Sequence, residues 1–106
     1  MTLELANYIL NIFRHYLPIV FSWGFHNPKA IENGLAFQVQ GYLHKGRVEV
    51  LYDEGWDLFV VRLINPDGSV KQEESGIYLD CLVDVIDGMV ERTKDYAARV
   101  QREYGV

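Results

Sequence analysis

The sequence has little of what defines several large protein classes. It contains one cysteine, Cys81, so no internal disulfide can form, as is usual for proteins of a reducing compartment. No apolar run approaches the roughly 18 residues that a membrane-spanning helix needs. The first residues, Met1 to Leu5, lack the basic segment and cleavage site of a secretion signal. These absences predict a cytoplasmic protein without a membrane partner.

Positive charge is also scarce. Ten Lys and Arg side chains stand against fifteen Asp and Glu, which gives a net charge of −5. A clustered basic surface is needed to neutralise phosphates, so the composition excludes a nucleic-acid partner. The glycine motifs of phosphate-binding loops and the G-x-S-x-G motif of hydrolases are missing too, and no cofactor is indicated.

Residues that could bind metal or act as nucleophiles are few and scattered. The three histidines, His15, His26 and His44, are separated by 11 and 18 residues, whereas zinc ligands usually include a closely spaced pair. Cys81 lies among apolar residues, where a buried structural thiol is commoner than a nucleophile. The sequence thus predicts no metal site and no catalytic residue, and it favours a binding protein over an enzyme.

Apolar residues are plentiful: 49% of the chain is hydrophobic and 13% is aromatic, enough for a single core. Two segments, Leu3 to Leu17 and Leu79 to Tyr104, have the spacing of amphipathic helices, and Pro18 is expected to end the first. The second would be roughly 39 Å long at 1.5 Å per residue. Five of its carboxylates share the opposite, solvated face: Asp80, Asp84, Asp87, Glu91 and Asp95.

Between these helices, apolar and polar residues alternate in short segments that end in turn residues. The pattern predicts strands over 19–25, 35–43, 47–52, 56–64 and 69–75, with Asn27-Pro28 starting a short helical turn after the first. Short loops make consecutive strands antiparallel. The chain is therefore predicted to be one α+β domain over 1–106. Its antiparallel meander of four or five strands would carry the N-terminal helix and the long C-terminal helix on one face.

The fourth predicted strand is apolar on both sides, which is typical of a central strand covered on both faces. We assign Phe59, Val61 and Leu63 to the face that the helices leave open. The end of the long helix, with Val100 and Tyr104, is expected to overhang the sheet. A second copy of the chain is predicted on one of these surfaces; the short segment near Ile31 is the alternative cover.

The stretch Phe21-Ser22-Trp23-Gly24-Phe25-His26-Asn27-Pro28 allows two interpretations. Its aromatic residues either fill the core of a strand that leads into a turn, or form an apolar pocket whose ligand-binding residues are Trp23, Gly24 and His26. Gly24 fits the first interpretation least well, because a glycine within a strand often marks a bulge or a close backbone approach.

The leading functional hypothesis from the sequence is a small cytoplasmic protein-binding or adaptor domain that acts as a homodimer. The alternative is a small-molecule-binding or enzymatic domain with its pocket between sheet and helices, near Trp23 and His26.

Overall fold

The computed structural model describes residues 2–91. Their helices and strands are, in chain order, α1 (Thr2–Arg14), α2 (Leu17–Ser22), β1 (His26–Ile31), β2 (Gly34–Gln40), β3 (Lys45–Asp53), β4 (Leu58–Ile64), β5 (Val70–Ile77), a 3₁₀ turn (Leu79–Cys81) and α3 (Leu82–Val90). The five strands form one antiparallel sheet in the order β1-β2-β3-β4-β5. The predicted fold class, an α+β meander with a helix at each end, is confirmed.

The first third of the chain differs from its predicted secondary structure. The segment predicted as a strand over 19–25 begins as helix α2, and Pro18 lies in the first turn of that helix. A proline suits this position, because its fixed φ is helical and its missing N–H has no partner to lose there. Over six residues a helix and a strand can have the same apolar pattern, so periodicity could not separate them.

The burial of α2 shows its helical period directly. Val20 and Trp23, three residues apart, are buried, whereas Phe21 between them is 66% exposed. The prediction that Asn27-Pro28 starts a short helical turn is wrong, because both residues lie in strand β1. Asn27 has a φ of 53°, and the register of β1 against β2 shifts between His26 and Lys29. A proline is tolerated there because β1 is an edge strand.

The later strands follow the predicted meander closely. The turn after Asp53 takes in Trp56, which was predicted to begin the fourth strand and is instead 78% exposed. The predicted turn over 65–68 is closed by Gly68 N–H donating to the Asn65 carbonyl, at 2.8 Å. β5 is exposed along most of its length, as expected of a charged edge strand.

One face of the sheet packs against the three α-helices described within residues 2–91, and we call it the inner face. Alternate strand residues point inward and form a single buried cluster with the helices. The strand residues of this cluster are Leu35, Phe37, Val39, Val48, Val50, Phe59, Val61, Leu63 and Ile77. The helices contribute Ala6, Ile9, Phe13, Val20, Leu82, Val83, Ile86, Met89 and Val90. The cluster contains helix residues from both ends of the described chain, so the described core is one unit.

The opposite, outer face carries the remaining strand residues. Leu51, Leu58, Val60 and Ile64 lie on it and are partly buried by their neighbours. Charged residues lie between them, and register places Arg62 beside Glu49 on one side and Glu73 on the other. The helices described within residues 2–91 pack on the inner face, and none of them covers the outer face.

We expect Gly24→Ala to destabilise the protein more than Gly76→Ala. Both glycines have a left-handed backbone, with φ of +70° and +68°, so each alanine costs about 1–2 kcal/mol for its conformation. A Cβ at Gly24 would lie 3.1 Å from both Cβ and N of Gln40, whereas none of the described residues comes within 4 Å of one at Gly76. The crowding adds about 1–3 kcal/mol at Gly24.

Urea unfolding of the two variants measures this difference directly. Equal losses of unfolding free energy in Gly24→Ala and Gly76→Ala would show that Gly24 is required for its backbone angle alone.

Candidate functional site

Trp23, one of the predicted ligand-binding residues, is a core residue. Its side chain is 0% exposed. The indole stacks on Phe37 of β2, with ring centroids 6.4 Å apart and planes 13° apart, and meets the edge of Phe13 of α1 at 5.8 Å. Close packing on these sides leaves no face of the indole to a ligand.

The polar atoms of Trp23 are also engaged within the fold. Indole Nε1–H donates to Asp87 Oδ1 of α3 at 3.0 Å, and the Trp23 carbonyl accepts a hydrogen bond from the Gln40 N–H at 2.8 Å. A buried tryptophan normally needs such a partner for its N–H. Asp87, predicted to lie on a solvated face, therefore ties α3 to the segment after α2.

Gly24 and His26, the other two predicted ligand-binding residues, lie just after the end of α2. Gly24 adopts a left-handed conformation directly after the helix, and its N–H donates to the Phe21 carbonyl at 3.0 Å. Glycine is the usual residue there. His26 is exposed, and its Nδ1 lies 2.7 Å from the Gly24 carbonyl. Their positions are thus explained by a helix end and the start of a strand.

His44 is the one buried polar residue of the described core. It lies between β2 and β3, and its Nε2 is 3.1 Å from the Arg47 carbonyl. Nδ1 is buried and has no hydrogen-bond partner among residues 2–91. Burial lowers the pKa of the imidazole below its ordinary value of 6.5, and the nearby charge of Lys71 lowers it further, against the raising effect of the Arg47 carbonyl. Folding therefore favours the neutral form of the His44 imidazole.

The segment around His44 is held by α3 and β5. The Leu43 N–H donates to the Val90 carbonyl at 2.7 Å, and the Tyr42 N–H donates to Glu91 Oε2 at 2.8 Å. From the other side, Lys71 Nζ donates to the Leu43 carbonyl at 2.6 Å. Glu91, like Asp87, makes a structural contact although its spacing predicted a solvated position.

Cys81 is exposed, contrary to the predicted buried thiol. Partial desolvation and the negative charges of Asp80 and Asp84 raise the pKa of its thiol. A nucleophilic cysteine needs the opposite environment, since the thiolate is the reactive form. Among the described residues, no three His, Cys, Asp or Glu side chains converge as metal ligands do.

A large open cavity, which we call the tyrosine groove, lies between α1, the β3–β4 turn and the 3₁₀ turn. Its volume is about 790 Å³. Twelve residues line it: Leu5, Tyr8, Ile12, His15, Tyr16, Tyr52, Asp57, Phe59, Tyr78, Leu79, Asp80 and Val83. Four of these are tyrosines, and Tyr8, Tyr16 and Tyr78 are exposed at the protein surface.

The tyrosine groove has an acidic lining. Among the described residues that line it are Asp57 and Asp80 but no Lys or Arg, and His15 is the one nitrogen base of that set. The Tyr52 hydroxyl donates to Asp57 Oδ1, which raises the pKa of Tyr52. This contact holds the β3–β4 turn, where Asp57 has a φ of 55°, against the end of β3. The groove thus combines aromatic rings with fixed negative charge.

Three of the predicted interface residues belong to the core. Phe59, Val61 and Leu63 are buried beneath the helices, and Phe59 also reaches the floor of the tyrosine groove. Their strand neighbours Leu58, Val60 and Ile64 occupy the outer face in their place. The other two predicted interface residues, Val100 and Tyr104, lie outside the described residues, as does Asp95.

The tyrosine groove was not among the predicted sites. Its described residues come from three separate segments, 5–16, 52–59 and 78–83, and most of them fit an amphipathic helix or a turn when each segment is read alone. The chain has seven tyrosines, and four of them line the groove, but their spacing in the sequence does not indicate a shared surface.

Comparisons with protein-family models, with curated proteins and with solved structures found no match. Within residues 2–91, none of the helices has the length and apolar character needed to cross a membrane.

We expect the unfolding free energy to fall as the pH is lowered from about 7.5 to about 5.5, in part because of His44. A depressed folded pKa means that the unfolded chain binds more protons in this range, so stability from His44 is complete above pH 6.5 and is lost below it. In His44→Gln, which keeps a donor for the Arg47 carbonyl, the loss should be smaller. Urea unfolding across this pH range measures the unfolding free energy of the wild type and of His44→Gln. An equal dependence on pH in the two proteins would contradict a contribution from His44.

Proposed function

We propose that this protein is a protein-binding domain that takes a segment of a partner protein into the tyrosine groove. The observation that carries the proposal is the groove itself: about 790 Å³, lined by aromatic and aliphatic side chains and open to solvent along one side of α1. Tyrosine is enriched among the residues that dominate protein interfaces, because it contributes a large apolar area and a polar tip at small entropic cost.

The exposure of the groove favours a partner protein over a small molecule. Small-molecule sites usually enclose most of the ligand surface. Here Tyr8, Tyr16 and Tyr78 are exposed to solvent. Their rings form an open area that a peptide segment of the partner can cover. The alternative pocket near Trp23 and His26 has less support, because Trp23 is buried in the core and His26 is exposed on an edge strand.

We expect peptides selected from a random 12-residue phage library to bind in the tyrosine groove. Tyr8→Ser and Tyr78→Ser should each weaken the selected peptide about tenfold or more, because each removes an aromatic ring from the interface. Fluorescence anisotropy with the labelled peptide measures the affinity.

The matched control is Tyr42→Ser. Tyr42 and Tyr78 are both 65% exposed, but Tyr42 lies beyond β2, away from the residues that line the groove. Loss of affinity in Tyr42→Ser equal to that in Tyr78→Ser would contradict a groove site. Failure to select any peptide, with a metabolite that raises the melting temperature of the wild type but not of Tyr8→Ser, would favour a small-molecule site instead.

We also propose that the domain acts as a homodimer through the outer face of its sheet. The sheet edges are poor surfaces for another strand. β1 carries Pro28 and Lys29 with a shift in register, and β5 carries charges and a left-handed Gly76. Such features oppose strand addition at an edge. Two copies would therefore meet through their sheet faces.

The charges of the outer face support a second copy as its partner. Arg47 pairs with Glu49 at 2.9 Å, and Arg62 pairs with Glu73, so positive and negative side chains alternate there. A surface of alternating sign can match itself after a twofold rotation. The exposed Trp56 lies beside Leu58 at one end of this face and would supply an aromatic anchor.

We expect wild-type protein to have about twice the chain mass of 12.3 kDa in light scattering, and Val60→Lys to be monomeric. The lysine places two like charges together at the centre of the proposed interface. Ile19→Lys on α2 introduces the same charge on an exposed residue of the opposite side and should remain dimeric. A monomeric mass for the wild type at every concentration would disprove the dimer.

The proposed compartment is the cytoplasm. Cys81 is an exposed thiol in a chain with one cysteine, and a reducing environment keeps such a thiol from forming disulfides between molecules.

A further inference from the structure

We infer that the segment bound in the tyrosine groove carries an arginine or lysine side chain that lies among the tyrosine rings and is bound by Asp57 and Asp80. This inference rests on the proposed function and adds the chemistry of the partner to it. Three independent features of the groove support it: its charge, its rings and the fixed position of Asp57.

The charge of the described chain favours a cationic partner. Residues 2–91 hold thirteen Asp and Glu but six Lys and Arg. On the outer face, cations and carboxylates pair, whereas the groove lining within residues 2–91 has two carboxylates and no Lys or Arg. A cleft lined by one sign of charge concentrates the opposite sign and steers its approach. An acidic or phosphorylated segment would be repelled at the same place.

The aromatic residues of the groove add a second attraction for a cation. The face of a tyrosine ring is the negative end of its quadrupole and attracts ammonium or guanidinium groups. Four tyrosines line the groove, and three of them have exposed side chains. A guanidinium group is planar and weakly hydrated, so it can stack on a ring while it donates hydrogen bonds at its edge. Arginine is therefore the better fit of the two.

Asp57 is held in place to accept those hydrogen bonds. The Tyr52 hydroxyl donates to its Oδ1 and so positions the carboxylate at the end of the β3–β4 turn. A carboxylate has two oxygens and about four acceptor positions, so one hydroxyl donor leaves capacity for a forked donor. Tyr52 also packs on Phe59, at 5.5 Å between ring centroids, which anchors this wall of the groove to the core.

The test uses the peptide selected from the phage library and a version in which each arginine is replaced by citrulline, which is isosteric and neutral. We expect an excess of Arg and Lys over the unselected library. We also expect about three- to fivefold weaker binding of the citrulline peptide, as for exposed charge pairs. Asp57→Asn/Asp80→Asn should weaken the arginine peptide by a similar factor and leave the citrulline peptide unchanged.

The matched control is Glu32→Gln/Glu74→Gln, which removes the same two charges from exposed residues outside the groove lining. Equal loss of affinity in the control would overturn specific recognition by Asp57 and Asp80. Selected peptides without basic residues, whose binding Tyr8→Ser abolishes, would overturn the inference and leave the proposed function standing. Peptides that bind Tyr8→Ser and the wild type equally would overturn both.

Discussion

The burial of Trp23 holds the two ends of the described chain on one side of the sheet. Its ring packs between Phe13 of α1 and Phe37 of β2, and its N–H reaches Asp87 of α3, so helices from both ends depend on one side chain. The Gly24 backbone directly after it must turn in a left-handed conformation against Gln40. Where α1 and the start of α3 lie apart on the inner face, the space between them becomes the tyrosine groove. The core and the candidate site share two residues, Phe59 and Val83, which belong to the buried cluster and also line the groove.

Much of the fold could be predicted because its signals are local. The three- and four-residue spacing of α1 and the turn residues after Asp53 and Asn65 each act over a few residues. The structure has a helix or a turn at each of these places, although α1 ends at Arg14 and the turn after Asp53 continues through Trp56. The predicted strand over 19–25 is wrong, because the five apolar residues that follow Pro18 there suit a helix as well as a strand. The prediction assigned the two faces of β4 the wrong way round for a similar reason. Both faces are apolar, and only the packing of α1 and α3 decides that Val61 points inward and Val60 outward.

The candidate site could not be predicted, because it exists only after the chain has folded. Tyr8, Tyr52 and Tyr78 belong to separate segments, and no spacing between them in the sequence marks a shared surface. The carboxylates of α3 show the converse limit. They have the regular spacing of a solvated face, yet Asp87 and Glu91 accept hydrogen bonds from distant parts of the chain. Charge at a helical period thus gives the direction of a side chain but not its partner.

The hydrogen bond between Trp23 and Asp87 has a consequence for the order of folding. Every strand pairs with its neighbour along the chain, so each hairpin closes a short loop at low entropic cost. The contact from Trp23 to Asp87 spans 64 residues, so forming it before the sheet would close a far longer loop at a higher entropic cost. The meander is therefore expected to form before its two ends meet over it, and the groove between them would be assembled in the last step.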